Sequence, residues 1–143
     1  MNVFMIYNKD NMKKIVFLLM FLPLISFSQN WIDDTNFDKT IKRNSTFNDD
    51  EVKIVVVEFW AKFNNDNSFK EWKNIKGAKY YRCDIAVSPV AKKQYKIRMA
   101  PTLIIFKDGI PEEKFKAGLD LTCPVTLTEL QSAIEGVKKA SQF

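Results

Sequence analysis

The pattern of hydrophobic positions changes character several times along this chain, and each change predicts a new element. Ile54-Val55-Val56-Val57-Glu58-Phe59-Trp60 is a near-continuous run of apolar and β-branched residues, the pattern of a strand buried on both faces of a parallel sheet. It predicts the central strand. Phe69, Trp72 and Ile75 then fall near one helical face and Gly77 offers a stop, so a short helix is expected over residues 68–75. Tyr80 to Ile85 reads as a second strand. Ser88-Pro89 supplies an N-cap and a proline at the first helical position, which predicts a helix through about Tyr95.

Thr102 to Phe106 is a third buried strand, and Asp108-Gly109 is a two-residue hairpin signal leading into an antiparallel edge strand over Glu112 to Ala117. Thr126 and Glu129 form a capping box ahead of Leu127, Leu130, Ile134 and Val137 at helical spacing, so the chain closes with an amphipathic helix. Upstream, Asp34 to Phe37 with Ile41 predicts one more short helix, preceded by a two-residue strand at Trp31-Ile32. Residues 44–51 are polar and read as a loop.

The front of the chain has a different logic. Lys13-Lys14 precede the apolar run Ile15 to Ile25, and Ser26-Phe27-Ser28 follows with small residues at the −3 and −1 positions. This is the form of a signal peptide. A run of 11 residues is far short of the roughly 20 needed to span a bilayer as a helix, and polar Gln29-Asn30 end it early. Residues 1–28 are therefore expected to be removed, leaving one domain over 29–143 with no integral membrane span. The alternative is an uncleaved anchor. No cysteine stands at the cleavage point, which speaks against a bacterial lipid anchor. Met12, directly before the lysines, is as good a start as Met1.

At 143 residues the chain has room for one core. Its 46% hydrophobic and 13% aromatic content with 4 Gly and 5 Pro is that of a folded chain. Losing residues 1–28 removes three lysines and one aspartate, which takes the formal charge from +5 to +3. The lysines lie scattered among acids, so they read as a solvated face and nucleic acid is not an expected partner. There is no His, which excludes Ser-His-Asp and Cys-His nucleophiles and the commonest metal ligand. No metal and no cofactor are expected. Asp33-Asp34 and Asp49-Asp50-Glu51 read as solvated acids or helix N-terminal charge.

The succession of elements, together with three stretches, resembles the thioredoxin-like proteins from about Trp31 to Lys139. Val55 to Lys62 is similar to the strand entering the thioredoxin active site, with Glu58 where a buried acid lies beneath the thiols. Arg82 to Thr102 resembles the family's strand, helix and proline loop almost residue for residue. Phe106 to Gly109 matches the hairpin, and Gly118 the end of the last strand. The resemblance implies an α/β thioredoxin-like fold, a central mixed sheet of four to five strands flanked by helices, and a cis bond at Ala100-Pro101.

The departure falls where the chemistry should be. In place of the family's W-C-x-x-C stretch stands Phe63-Asn64-Asn65-Asp66-Asn67. Exchange needs one thiolate to attack a disulfide and a second thiol to release the product, and an amide can do neither. Thioredoxin-type disulfide exchange is not expected, and the reading leans against an enzyme. Of the two cysteines, the family's strand order would set Cys83 and Cys123 roughly 14 Å apart, against about 7 Å for a disulfide; two cysteines in an exported chain nevertheless commonly pair. Two free thiols are favoured, Cys83 as packing and Cys123 as the more exposed. For Glu58, burial raises a carboxyl's pKa unless Arg82 or a lysine reaches it, and structural pairing is the favoured role.

The resemblance places Phe63, Asn64, Asn67, Ala100, Pro101 and Cys123 around the old active-site groove, where an extended segment of another envelope or exported protein could pair with the Ala100 backbone. The expected function is a redox-inactive binding module, or a subunit of an envelope complex, in the periplasm or cell envelope. The alternative is a diverged thiol-disulfide oxidoreductase or isomerase acting through Cys123.

Overall fold

The computed structural model describes residues 30–42 and 51–140. The expected signal segment with its cleavage point, most of the polar loop at 44–51, and the Asp49-Asp50 pair lie outside the described residues. The described elements run β1 (Trp31–Ile32), α1 (Phe37–Ile41), β2 (Ile54–Trp60), β3 (Lys79–Asp84), α2 (Pro89–Gln94), β4 (Thr102–Lys107), β5 (Ile110–Lys116) and α3 (Leu127–Lys139). The strands form one mixed sheet in the order β1-β3-β2-β4-β5. β1, β3 and β2 are parallel, and β4 and β5 continue antiparallel.

Alternation along β2 divides the core. Val55, Val57 and Phe59 face one layer with Phe37, Ile41, Cys83, Ala91 and Phe106, beneath α1 and α2. Ile54 and Val56 face the other, with Leu103, Ile105, Leu130 and Ile134, beneath α3. Both faces are buried, which is why the sequence reads as a continuous apolar run rather than an alternating one. Cys83 and Cys123 pack on opposite layers and both are free thiols.

Local signals are realised where the local chain controls them. Thr126 and Glu129 close a capping box on α3. Asp108 and Gly109 take φ of 49° and 85°, the positive values that a two-residue turn matched to the strand twist requires. β5 begins at Ile110, earlier than expected, and the ladder slips between Ile105 and Phe106, where Pro111 has no N–H to give.

One expected helix is absent. Residues 68–75 form no α-helix; short 3₁₀ turns stand at Lys62–Asn67 and Trp72–Asn74. Sheet side chains hold the backbone of this segment at both polar groups of Phe69. Phe69 N–H donates to the Glu58 carboxylate at 2.9 Å, and the Phe69 carbonyl accepts from the Arg82 guanidinium at 3.4 Å. Phe69, Trp72 and Ile75 still pack on the α3 layer, so the apolar pattern was a burial signal without helical geometry.

The N-terminus of α2 is also built differently from expectation. Ser88 makes no side-chain cap. The Asp34 carboxylate instead accepts from Val90 N–H at 2.9 Å and Ala91 N–H at 2.8 Å, satisfying two donors the first turn leaves open.

Candidate functional site

Where β2 ends, the chain enters the turn Lys62–Asn67, and Asn64 leaves helical geometry there with φ −119° and ψ 27°. That excursion places its side chain among three segments. Asn64 Nδ2 donates to the carbonyl of Ala100 and to the carbonyl of Leu121, each at 2.8 Å. Its Oδ1 accepts from Asn67 Nδ2 at 2.7 Å. Both amide hydrogens are thereby used, and the turn, the proline loop and the 119–125 segment are joined by one side chain. The Ala100-Pro101 bond is cis.

Four of the groove residues singled out from the sequence, Asn64, Asn67, Ala100 and Pro101, are at or beside this knot. Ala100 is only 2% exposed and its carbonyl is occupied by the protein's own amide. Phe63 stands outside at 78% exposure, and Leu119 at 92%. Cys123 turns onto the apolar layer beneath α3, its thiol donating to the Val125 carbonyl at 3.4 Å. Burial pushes that thiol's pKa up, and the charge of Glu58 acts in the same direction. A half-buried, protonated thiol is a poor nucleophile.

Glu58 sits fully buried on the α3 face of β2, opposite Arg82 in the parallel register. Its Oε1 accepts from Phe69 N–H at 2.9 Å, and its Oε2 accepts from the Tyr80 hydroxyl and, at 3.2 Å, from Arg82 Nη2. Burial, with Glu58's charge adding, holds the Tyr80 hydroxyl well above its ordinary pKa. The Arg82 guanidinium lies 5.7 Å from the Trp31 ring, which meets Trp60 edge-on at 5.1 Å. Trp60 Nε1 in turn donates to Asn65 Oδ1 at 2.8 Å. Glu58 is therefore the centre of a polar cross-link from the sheet to the turn above it. Arg82 was a partner the sequence offered for Glu58, and Tyr80 was visible only through its alternation with Arg82 on β3; Leu121 takes part through its backbone carbonyl, which no side-chain pattern marks.

The sheet also brings together two pairs of charges from different elements. Lys96, Arg98, Lys114 and Lys116, each exposed, line one open cleft beside the proline loop, so these four cations are solvated as expected but gathered rather than dispersed. Among the described residues, no group of His, Cys, Asp or Glu is placed to hold a metal, and no helix is long and apolar enough to cross a membrane.

No family model and no curated protein matches the chain. Solved structures do. A structure from the thiol-resolving mechanism of a yeast mitochondrial one-cysteine peroxiredoxin superposes with TM-score 0.55 at 21% identity, covering 76% of this chain and 95% of that one. A mutant thioredoxin from Halobacterium salinarum gives TM-score 0.52 at 16% identity over 78% and 91%. The chain has the thioredoxin-like fold. A thioredoxin from Malassezia sympodialis, with TM-score 0.50 and 20% identity over 76% and 90%, agrees. In the thioredoxin-like fold found here, the turn after the central strand meets the cis-proline loop through the Asn64 amide, which Asn67 in turn supports.

Proposed function

We propose that this chain is an exported thioredoxin-fold protein without disulfide-exchange activity, serving as a protein-binding module or subunit of an envelope complex. The observation that carries this reading is Asn64: at the expected nucleophile position stands an amide whose two hydrogens are committed to Ala100 and Leu121. No sulfur stands at that position to form a mixed disulfide, and the alternative thiol, Cys123, is half-buried and bonded to the Val125 carbonyl. The Ala100 carbonyl is likewise engaged internally, so the partner surface is better sought in exposed side chains flanking the knot, such as Phe63 and Leu119, than in strand pairing at the proline loop.

Two measurements test this. Purified protein should leave the reduction of a protein disulfide by a small dithiol at its uncatalysed rate; turnover that vanishes in Cys123→Ser would put the oxidoreductase or isomerase reading in its place. Intact mass of the exported protein should correspond to a chain beginning at Gln29, and a species retaining Ile15 to Ile25 would make the segment an anchor.

A further inference from the structure

Two pairs of cations, Lys96 with Arg98 and Lys114 with Lys116, converge on one side of the sheet. Lys114 and Lys116 occupy alternate positions of β5 and so share a face, while Lys96 and Arg98 come from the turn between α2 and the proline loop. With Met99 and Leu119 they line a cleft of about 440 Å³, and none of its lining residues is acidic. That volume lies within the roughly 300–1,000 Å³ range of ligand sites. The crowding has an electrostatic signature: partial burial, and then the charges of Lys116, Lys96 and Arg98, lower the pKa of Lys114.

Two further features mark the arrangement as built. Lys114 Nζ donates to the Tyr95 carbonyl at 2.8 Å, which holds its ammonium across the gap between β5 and the end of α2. Lys96 takes a φ of 53°, the left-handed region where glycine is at ease and a side chain is costly. Lysines on an outer strand also discourage edge-to-edge pairing. That reason covers Lys114 and Lys116 but not Lys96 and Arg98, which approach from another element.

We propose that this cleft docks an acidic segment of the partner protein, its carboxylates against Lys96, Arg98, Lys114 and Lys116 and its apolar side chains on Met99 and Leu119. The inference rests on the reading of the chain as a binding module. Charge complementarity selects an acidic ligand, and the planar Arg98 fork suits carboxylates. The apolar lining and the outer position of β5, which pairs only with β4 in the described sheet, favour an extended polypeptide over an isolated anion.

The test titrates the purified full chain with a short capped peptide alternating Glu or Asp with Leu, beside inorganic phosphate and vesicles containing anionic lipid. Saturable peptide binding that weakens as salt rises is expected, with affinity falling about tenfold or more in Lys114→Glu/Lys116→Glu and in Arg98→Glu. Lys96→Gly should weaken the peptide while its thermal midpoint stays at or above the parent's, a result that unfolding cannot imitate. Lys76→Glu, on the α3 side beside Gln131, should bind as the parent does. Equal losses in Lys76→Glu, unchanged binding in the cleft variants, or binding of phosphate or vesicles in preference to the peptide would each overturn the proposal. Disulfide turnover is read separately: turnover with peptide binding intact overturns the non-catalytic reading alone, and lost docking without turnover overturns the cleft alone.

Discussion

The carboxamide nitrogen of Asn64 lies 2.8 Å from the carbonyl oxygen of Ala100, the residue preceding the cis peptide bond. A second hydrogen from the same nitrogen reaches the Leu121 carbonyl at 2.8 Å. At the expected position of a nucleophile the protein thus has a fastener, and what it fastens are two loops remote in sequence.

Replacing Asn64 by Ala removes these two bonds and the one its Oδ1 accepts from Asn67, and is expected to cost about 1.5–4.5 kcal/mol in urea denaturation, at about 0.5–1.5 kcal/mol for each hydrogen bond. Amide exchange should quicken in residues 119–123. Asn64→Asp should cost more at neutral pH than Asn64→Ala, because a carboxylate would face two carbonyl oxygens. Equal stability of all three proteins would show that the knot contributes nothing.

The Glu58–Arg82 pair is buried on both sides. Glu58→Leu alone should destabilise by about 3–5 kcal/mol, since it removes the carboxylate that faces the buried Arg82 guanidinium. Glu58→Leu/Arg82→Met should recover part of that loss. A double-mutant cycle measures the difference, and strict additivity would mean the two side chains act independently.

Burial pushes the Cys83 thiol up to about 11 from the ordinary 9.0. Because the folded state disfavours the thiolate, this contribution to stability is complete below about pH 9 and is lost as pH rises toward 11, where the unfolded chain ionises first. The fall in stability across that window should be shallower in Cys83→Ala than in the parent, by denaturant titration at matched pH. At pH 8 a thiol reagent should label Cys83 only on unfolding.

Asp34 caps α2 from outside the helix through Val90 and Ala91. Asp34→Ala should cost about 1–2 kcal/mol, a typical range for a cap carrying charge, and Asp34→Asn should cost less. Ser88→Ala should leave the cap bonds untouched, as Ser88 makes none; a larger loss there than in Asp34→Ala would reverse the assignment.

The residues themselves determined whatever depends on near neighbours. The run at 54–60, apolar on both faces but for Glu58 and rich in β-branched residues, reads as an inner strand; Asp108-Gly109 accepts positive φ; Thr126 and Glu129 reach each other across one turn. Absence of thiols at Asn64 and Asn67 was equally plain, since it is a matter of which atoms exist. Phe69, Trp72 and Ile75 show the boundary. Their spacing announced burial correctly, yet it could not reveal that Glu58, 11 residues upstream, and Arg82, 13 residues downstream, tie the Phe69 backbone to the sheet in a segment of 3₁₀ turns.

Tertiary structure decided everything that links positions far apart. Asn64 meets Ala100 and Leu121 across 36 and 57 residues, and Asp34 meets α2 across 56. Lys96, Arg98, Lys114 and Lys116 become one cationic cleft only because the turn after α2 lies beside β5. A hydrogen bond or a charge acts over a few ångströms and carries no trace in the intervening chain. Periodicity records which side of an element is buried; the partner that side meets is settled when the sheet assembles.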